Sequence, residues 1–121
     1  MIKVGLISDT HNQVDPLLRE VFEGVSFIIH AGDICKKEVL EELEQIAPVY
    51  AVRGNNDHDD ALLALPEFRV VDIDRIRILV AHDAKDPRMQ GWIRDVSPFI
   101  IVVGHSHKPG VTKEQGVYVV N

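Results

Sequence analysis

Apolar runs typical of buried β-strands end, five times along this chain, at residues that can bind a metal ion. In chain order these residues are Asp9 with His11, Asp33, Asn55, His82, and His105 with His107. Because the carboxyl ends of strands in an open α/β sheet converge on one crevice, these side chains are expected to meet there. Carboxylate, amide and imidazole groups form a mixed oxygen and nitrogen ligand set, which suits Mn, Fe, Zn or Ni.

The length and composition predict one globular domain, residues 1–121. The chain is 45% hydrophobic and 26% charged, which supplies enough apolar material for a single core. Its formal net charge of -6 at pH 7 predicts no extended basic surface for nucleic acid. Bound divalent cations would nevertheless reverse the local sign of the charge and attract an anionic substrate.

The distribution of cysteine and apolar residues predicts a cytoplasmic protein with no membrane partner. Cys35 is the only cysteine, so no intrachain disulfide can form, which fits a reducing compartment. No apolar stretch approaches the roughly 18–20 residues of a membrane span. The apolar run at the N-terminus is short and leads directly into Asp9, unlike a signal peptide.

Hydrophobic periodicity predicts an α/β protein whose two halves differ. The first half is predicted to contain strands at 2–8, 26–30 and 49–52 and helices at 15–24 and 37–46. This alternation favours a parallel sheet with right-handed crossovers. The second half is predicted to contain a hairpin of 68–73 and 76–81, a helix at 86–95, and strands at 99–103 and 117–120. We expect two packed mixed sheets with helices outside.

Several polar residues outside the ligand set have simpler interpretations. His30 lies inside an apolar strand and is more typical of a hydrogen-bonded core histidine than of a ligand. Cys35 is interpreted as an unreactive thiol, and residues 57–60 as a solvated polar loop. Arg53 could contact a substrate phosphate or form a surface ion pair.

The chain resembles the calcineurin-like metallophosphoesterases, and most closely the small bacterial and archaeal phosphodiesterases among them. The resemblance spans nearly the whole chain and rests on five motifs in the same order: Asp9-x-His11, Gly32-Asp33, Gly54-Asn55-Asn56-Asp57, His82 and Gly104-His105-x-His107. It implies a four-layer α-β-β-α sandwich of two mixed sheets, with a dinuclear metal centre at the carboxyl ends of the strands. By this resemblance Asp9, His11 and His107 hold one metal, Asn55, His82 and His105 hold the other, and Asp33 bridges both.

The resemblance also implies a metal-dependent phosphoesterase, and a phosphodiesterase rather than a monoesterase. Two divalent ions roughly 3.5–4 Å apart would hold a bridging hydroxide that attacks phosphorus in line. Manganese is the expected metal, with zinc, iron and nickel as alternatives, and the substrate is expected to be a small phosphodiester.

Two residues depart from the family pattern. Asn56 stands where monoesterase branches often have a histidine that protonates the leaving group, which favours diesters with good leaving groups, unless Asn56 only shapes the turn. Asn56 and Asp57 are the predicted catalytic residues, and Asp57 is predicted to orient Asn55. Asp83 stands where the family usually has glycine, and it could repel phosphate, act on the metal side or cap the following segment.

Two other function classes remain open. The first is a non-catalytic protein-interaction module with the same fold, as in the retromer subunit of this superfamily. The second takes His82-Asp83 as the signature of helical HD phosphohydrolases, which is disfavoured because residues 75–81 resemble a strand.

The end of the chain predicts self-association. In the family, further strands follow a segment like 117–121, so the second sheet is expected to be short. An exposed apolar strand at 117–120 would pair readily with another chain. We therefore expect a second copy to cover this edge or face in a two-fold dimer.

Overall fold

The computed structural model describes residues 2–11, 14–106, 110–114 and 116–121. The helices are α1 (Leu18–Val21), α2 (Lys37–Glu44), α3 (Asp60–Leu63) and α4 (Met89–Val96). The strands are β1 (Val4–Ile7), β2 (Phe27–His30), β3 (Val49–Ala51), β4 (Phe68–Ile73), β5 (Ile76–Ala81), β6 (Ile100–Val102), β7 (Val111–Glu114) and β8 (Val117–Val120).

The first sheet has the order β1-β2-β3, and both of its strand pairs are parallel. Ile7 is in register with His30, and His30 is in register with Ala51. The three strands therefore end at the same level, and the loops that follow them leave the sheet side by side. Short apolar runs joined through helices favour this parallel arrangement, as predicted.

The second sheet has the order β4-β5-β6-β8-β7. Strands β5, β6 and β8 are parallel, and the edge strands β4 and β7 are antiparallel to their neighbours. The hairpin β4–β5 turns at Asp74 and Arg75, which both have positive φ angles, as a two-residue type I′ turn requires. Only this sheet is mixed, so the expectation of two mixed sheets is wrong for the described strands of the first sheet.

Three apolar clusters join four layers in the order α-β-β-α. Helices α1, α2 and α3 pack on one face of the first sheet through Leu18, Val39 and Leu62. The facing sides of the two sheets meet through residues such as Ile29 and Val80. Helix α4 covers the outer face of the second sheet through residues that include Met89.

Two elements were not predicted, and one of them changes the edge of the second sheet. Strand β7 pairs along the whole of β8, so the prediction of an exposed edge at residues 117–120 is wrong. Helix α3 lies partly in the segment interpreted as a polar loop, and the Asp59 side chain accepts a hydrogen bond from the Ala61 backbone N–H at its first turn. Among the described residues, no helix combines the length and the apolar character needed to cross a bilayer.

Candidate metal centre

Loops at the carboxyl ends of five strands carry the predicted ligands that the structure describes. Asp9 and His11 follow β1, Asp33 follows β2, Asn55 follows β3, His82 follows β5 and His105 follows β6. The two sheets thus contribute to a single edge of the sandwich, as the sequence predicts. His107 lies outside the described residues, and its role as a ligand stays a prediction.

The first group of ligand atoms comes from both sheets. Asn55 Oδ1 lies 2.8 Å from His82 Nε2 and 3.2 Å from His105 Nδ1. The two histidine nitrogens lie 3.2 Å apart, and Asp33 Oδ2 lies 3.4 Å from His82 Nε2. Two imidazoles, an amide oxygen and a carboxylate therefore point at one small volume.

The hydrogen bonds of His82 prepare it for a cation. Its Nδ1 lies 2.8 Å from the Ala31 carbonyl oxygen, which can only accept, so Nδ1 carries the hydrogen. In the neutral ring the lone pair is then on Nε2, and it faces the Asn55 oxygen, which is also an acceptor. A cation between them satisfies both acceptors, and a backbone carbonyl that fixes the tautomer is typical of metal-binding histidines.

The second group of ligand atoms shares Asp33 with the first. Asp9, His11 and Asp33 each offer an atom within 4.8 Å of the others, and so do Asp33, His82 and His105. Asp33 belongs to both sets, which is the placement that a bridging carboxylate needs. The residues present therefore fit a pair of neighbouring divalent ions.

Asp33 is held in its ionised form. Burial, which leaves the side chain 1% exposed, raises the pKa of its carboxyl group. Hydrogen bonds from the backbone N–H and side-chain amide of Asn56, each 2.9 Å long, and the nearby His82 and His11 outweigh burial, so the pKa is below its usual value. A carboxylate that stays charged while buried is suited to a divalent cation.

Asp57 holds the loops together. Its buried carboxylate accepts hydrogen bonds from the backbone N–H groups of Asp33, Cys35 and Gly54, at 2.7–3.0 Å. This differs from the predicted contact with Asn55, because the oxygen atoms of Asp57 are directed at the backbone of two loops. The carboxylate fixes the loop after β2 against the loop after β3, and a catalytic role for Asp57 stays a prediction.

The ligand loops have a strained and closely packed backbone. Asp9, His11, Asp33 and His105 have φ angles between +53° and +70°, a left-handed conformation that is uncommon for non-glycine residues and that is often found at functional sites. The loop after β3 approaches the loop after β2 closely at Gly54, where a Cβ would lie 2.3 Å from the backbone nitrogen of Asp33.

Two nearby residues are not part of the ligand set. His30 is fully buried, Nδ1 accepts from the Gly32 backbone N–H, and Nε2 lies 3.0 Å from Thr10 Oγ1. This confirms its interpretation as a hydrogen-bonded core histidine. Burial, and then the charges of Asp57, Asp33 and Asp9, raise the pKa of the Cys35 thiol, which agrees with an unreactive cysteine.

A cleft of about 210 Å³ opens directly beside the first ligand group. Its lining comprises Arg53, Gly54, Asn55, Glu67, Phe68, Ala81, His82, Asp83, Asp86, Arg88 and His105. Asn55, His82 and His105 are thus shared between the cleft and the candidate metal centre. A ligand bound at the metals would have room to extend into this cleft.

A charged network forms the wall of the cleft away from the ligands. Glu67 accepts a 2.5 Å hydrogen bond from Arg53 and a second one from Arg88, and both lower the pKa of its carboxyl group. Arg88 also binds Asp86, which raises the pKa of the guanidinium. Arg53 is therefore in an ion pair. No local sequence pattern identifies Glu67 and Arg88, because only folding brings them to the loop after β3.

Comparison with known proteins agrees with this fold. Residues 2–121 match the sequence model of the family described as the calcineurin-like phosphoesterase superfamily domain. A probable metallophosphoesterase from Methanocaldococcus jannaschii is 33% identical over 129 residues. The match covers 98% of this chain and 65% of that relative, so the chain spans about two thirds of its length.

Two solved structures have the same arrangement. An archaeal phosphodiesterase is similar with a TM-score of 0.80 at 27% identity, over 99% of this chain and 82% of that one. Vps29 from Entamoeba histolytica, solved as a complex with Zn²⁺, is similar with a TM-score of 0.79 at 25% identity, over 98% of this chain and 72% of that one. The predicted family and the α/β fold of two sheets are confirmed.

Proposed function

Because the chain belongs to the calcineurin-like phosphoesterase superfamily, we propose that it is a metal-dependent phosphodiesterase with a dinuclear centre. The observation that carries this proposal is the position of Asp33 in both groups of ligand atoms. A small phosphodiester is the proposed substrate, in agreement with the likeness to the archaeal phosphodiesterase. Manganese is the proposed metal, and the Zn²⁺ complex of Vps29 makes zinc the first alternative.

Hydrolysis of a phosphodiester at this site would depend on the charge of the metal ions and on the position of the residues that hold them. When bound, two divalent ions supply a water molecule of lowered pKa as the nucleophile and neutralise the phosphate. Asp33 stays ionised between the two ligand groups. Asn55, His82 and His105 add ligand atoms without negative charge, so the metals keep their attraction for the substrate.

Asn56 supports the bridging residue. Its backbone and side-chain N–H groups bind the two carboxylate oxygens of Asp33, which orients the carboxylate. The side chain is exposed, and its amide has no acidic proton to give at neutral pH. We propose that Asn56 positions Asp33 and leaves the departing oxygen without a general acid.

Metal analysis and hydrolysis together test this function. Wild-type protein is expected to bind two Mn²⁺ ions per chain and to hydrolyse bis-p-nitrophenyl phosphate. Asp33→Asn should lose both ions and the activity, because it removes the shared charge, while His105→Ala should weaken one ion. Asp72→Asn, an exposed residue paired with Arg77, is the matched control. No metal uptake by wild-type protein at micromolar Mn²⁺ or Zn²⁺ would contradict the proposal.

The alternative function is a non-catalytic interaction module. The likeness to Vps29 favours this alternative, because that protein is named for vacuolar protein sorting and not for an enzymatic activity. Two bound metals without hydrolysis of any aryl diester or monoester would support this alternative over the enzyme.

A further inference from the structure

We propose that the cleft beside the metal centre accepts an uncharged ester group and that Asp83 selects phosphodiesters over phosphomonoesters. The inference rests on the proposed function, because it concerns the substrate of the same site.

The position of the cleft makes it a subsite for a substrate group. It shares Asn55, His82 and His105 with the candidate metal centre, and Phe68 and Ala81 contribute apolar surface to its lining. A phosphate held by the metals would direct one of its ester groups into this space.

The charged residues around the cleft do not favour the binding of a second anion. Arg53 and Arg88 are both bound to Glu67, and Arg88 is also bound to Asp86. With Asp83, the lining carries three carboxylates against two guanidinium groups. An additional phosphate in the cleft would therefore compete with carboxylates that already hold the arginines.

Asp83 adds negative charge next to a metal ligand. It follows His82 directly, it lines the cleft, and its Oδ1 accepts a 2.9 Å hydrogen bond from the Lys85 backbone N–H. This hydrogen bond caps the loop, but the backbone N–H has no positive charge that would neutralise the Asp83 carboxylate. A diester carries one negative charge, whereas a monoester carries roughly two near neutral pH, so the repulsion by Asp83 is about twice as large for the monoester.

The test variant is Asp83→Asn, which keeps an oxygen for the Lys85 N–H and removes only the charge. Binding of phenyl phosphate and of diethyl phosphate to the Mn²⁺-loaded protein is measured by calorimetry, alongside hydrolysis of p-nitrophenyl phosphate and bis-p-nitrophenyl phosphate. We expect the preference for the diester to fall roughly 10-fold, since one unit charge is removed near the site. Asp72→Asn, an exposed β4 residue, should leave the preference unchanged. Both variants should still bind as many Mn²⁺ ions per chain as the wild-type protein, as measured by titration, although Asp83→Asn should bind them more weakly because its missing charge also attracts cations.

Each other outcome has a defined meaning. An unchanged preference in Asp83→Asn overturns the inference, and so does the loss of one bound Mn²⁺ ion per chain, because Asp83 would then act as a metal-side group. Failure of diethyl phosphate to bind the wild-type protein also overturns it. If the anions bind with the expected difference but no substrate is hydrolysed, the proposed function fails while the role of Asp83 stands.

Discussion

His30 and Asp33 show how the surroundings of a buried residue decide its charge. Both lie at the end of β2 and both are at most 1% exposed. His30 receives a hydrogen bond from a backbone N–H on a ring nitrogen, which leaves the neutral ring satisfied, and burial lowers its pKa to about 3. Asp33 receives two hydrogen bonds on its carboxylate, which stabilise the charged form. One residue therefore supports the structure, and the other can bind cations.

The buried His30 predicts a loss of stability in acid. The pKa of His30 is about 3 in the folded protein, against an ordinary value of 6.5. Burial and the nearby His82 lower this pKa, and Asp33 raises it by a smaller amount. Between these values the unfolded chain binds more protons, so the free energy of unfolding should fall as pH drops from 6.5, by up to about 1.4 kcal/mol per unit. Urea unfolding of the metal-free protein at several pH values measures this.

The matched variants for this measurement are His30→Gln and His58→Gln. The first removes the buried titrating ring and should flatten the dependence between pH 6.5 and 4.5. The second changes an exposed histidine and should leave the dependence as it is. Equal slopes in the wild-type protein and His30→Gln would contradict the assignment.

Asn56 predicts a dependence on the leaving group. Because its side chain cannot protonate the departing oxygen, an aryl diester should be cleaved far faster than an alkyl monoester. General acid catalysis is worth about 10²–10⁴-fold, so Asn56→His should recover part of the monoester activity. Steady-state rates on the two substrate types measure the effect. Equal rates in the wild-type protein would count against this role.

At the level of elements, the sequence predicts the strands better than the connections. The hairpin strands at 68–73 and 76–81 have the predicted bounds, because their apolar residues recur around a tight turn. Strand β7 was missed, since Thr112 and Lys113 give it a polar pattern and its pairing with β8 depends on the fold. The strand ends also predict where the candidate ligands lie, whereas the Glu67 network depends on contacts that no local pattern shows.

The close contact of the loops after β2 and β3 predicts a steric test. In Gly54→Ala, the new Cβ would lie 2.3 Å from backbone and carboxylate atoms of Asp33, so the loops must separate. We expect a loss of about 1–3 kcal/mol in unfolding free energy, as overpacking typically costs, together with weaker metal binding. Urea unfolding and Mn²⁺ titration measure the two effects.

Helix α4 offers the control for that substitution. A Cβ at Gly91 would meet no atom closer than 3.8 Å, and alanine favours a helix by about 0.5–1 kcal/mol over glycine. Gly91→Ala should therefore stabilise the protein slightly and leave metal binding unchanged. Similar effects of the two alanine substitutions would show that the loop contact does not limit the site.

At the level of the whole molecule, the outer face of the second sheet is incompletely covered. Strand β8 is not an edge, but a groove of about 550 Å³ remains between it and α4, lined by residues that include Ile93, Val117 and Val119. We still expect a second copy of the chain to cover this face around a two-fold axis, which places the groove of one copy against the groove of the other. Light scattering coupled to size-exclusion chromatography should give twice 13.6 kDa, and Val119→Lys should give the monomer. A wild-type monomer at high micromolar concentration that unfolds cooperatively would contradict the dimer.

The candidate metal centre joins the two sheets, which predicts that metal binding stabilises the entire sandwich. Asp33 and Asn55 extend from the first sheet, whereas His82 and His105 extend from the second, so ions at this edge add a link between layers that also pack through apolar contacts. A ligand that binds only the folded state adds about 2.7 kcal/mol when its concentration is 100 times its Kd. Mn²⁺ should therefore raise the Tm of the wild-type protein in calorimetry. Asp33→Asn should show no such rise, because the shared carboxylate charge is missing, and His105→Ala should show part of it. An equal rise in all three proteins would mean that the metal stabilises the chain at some other place.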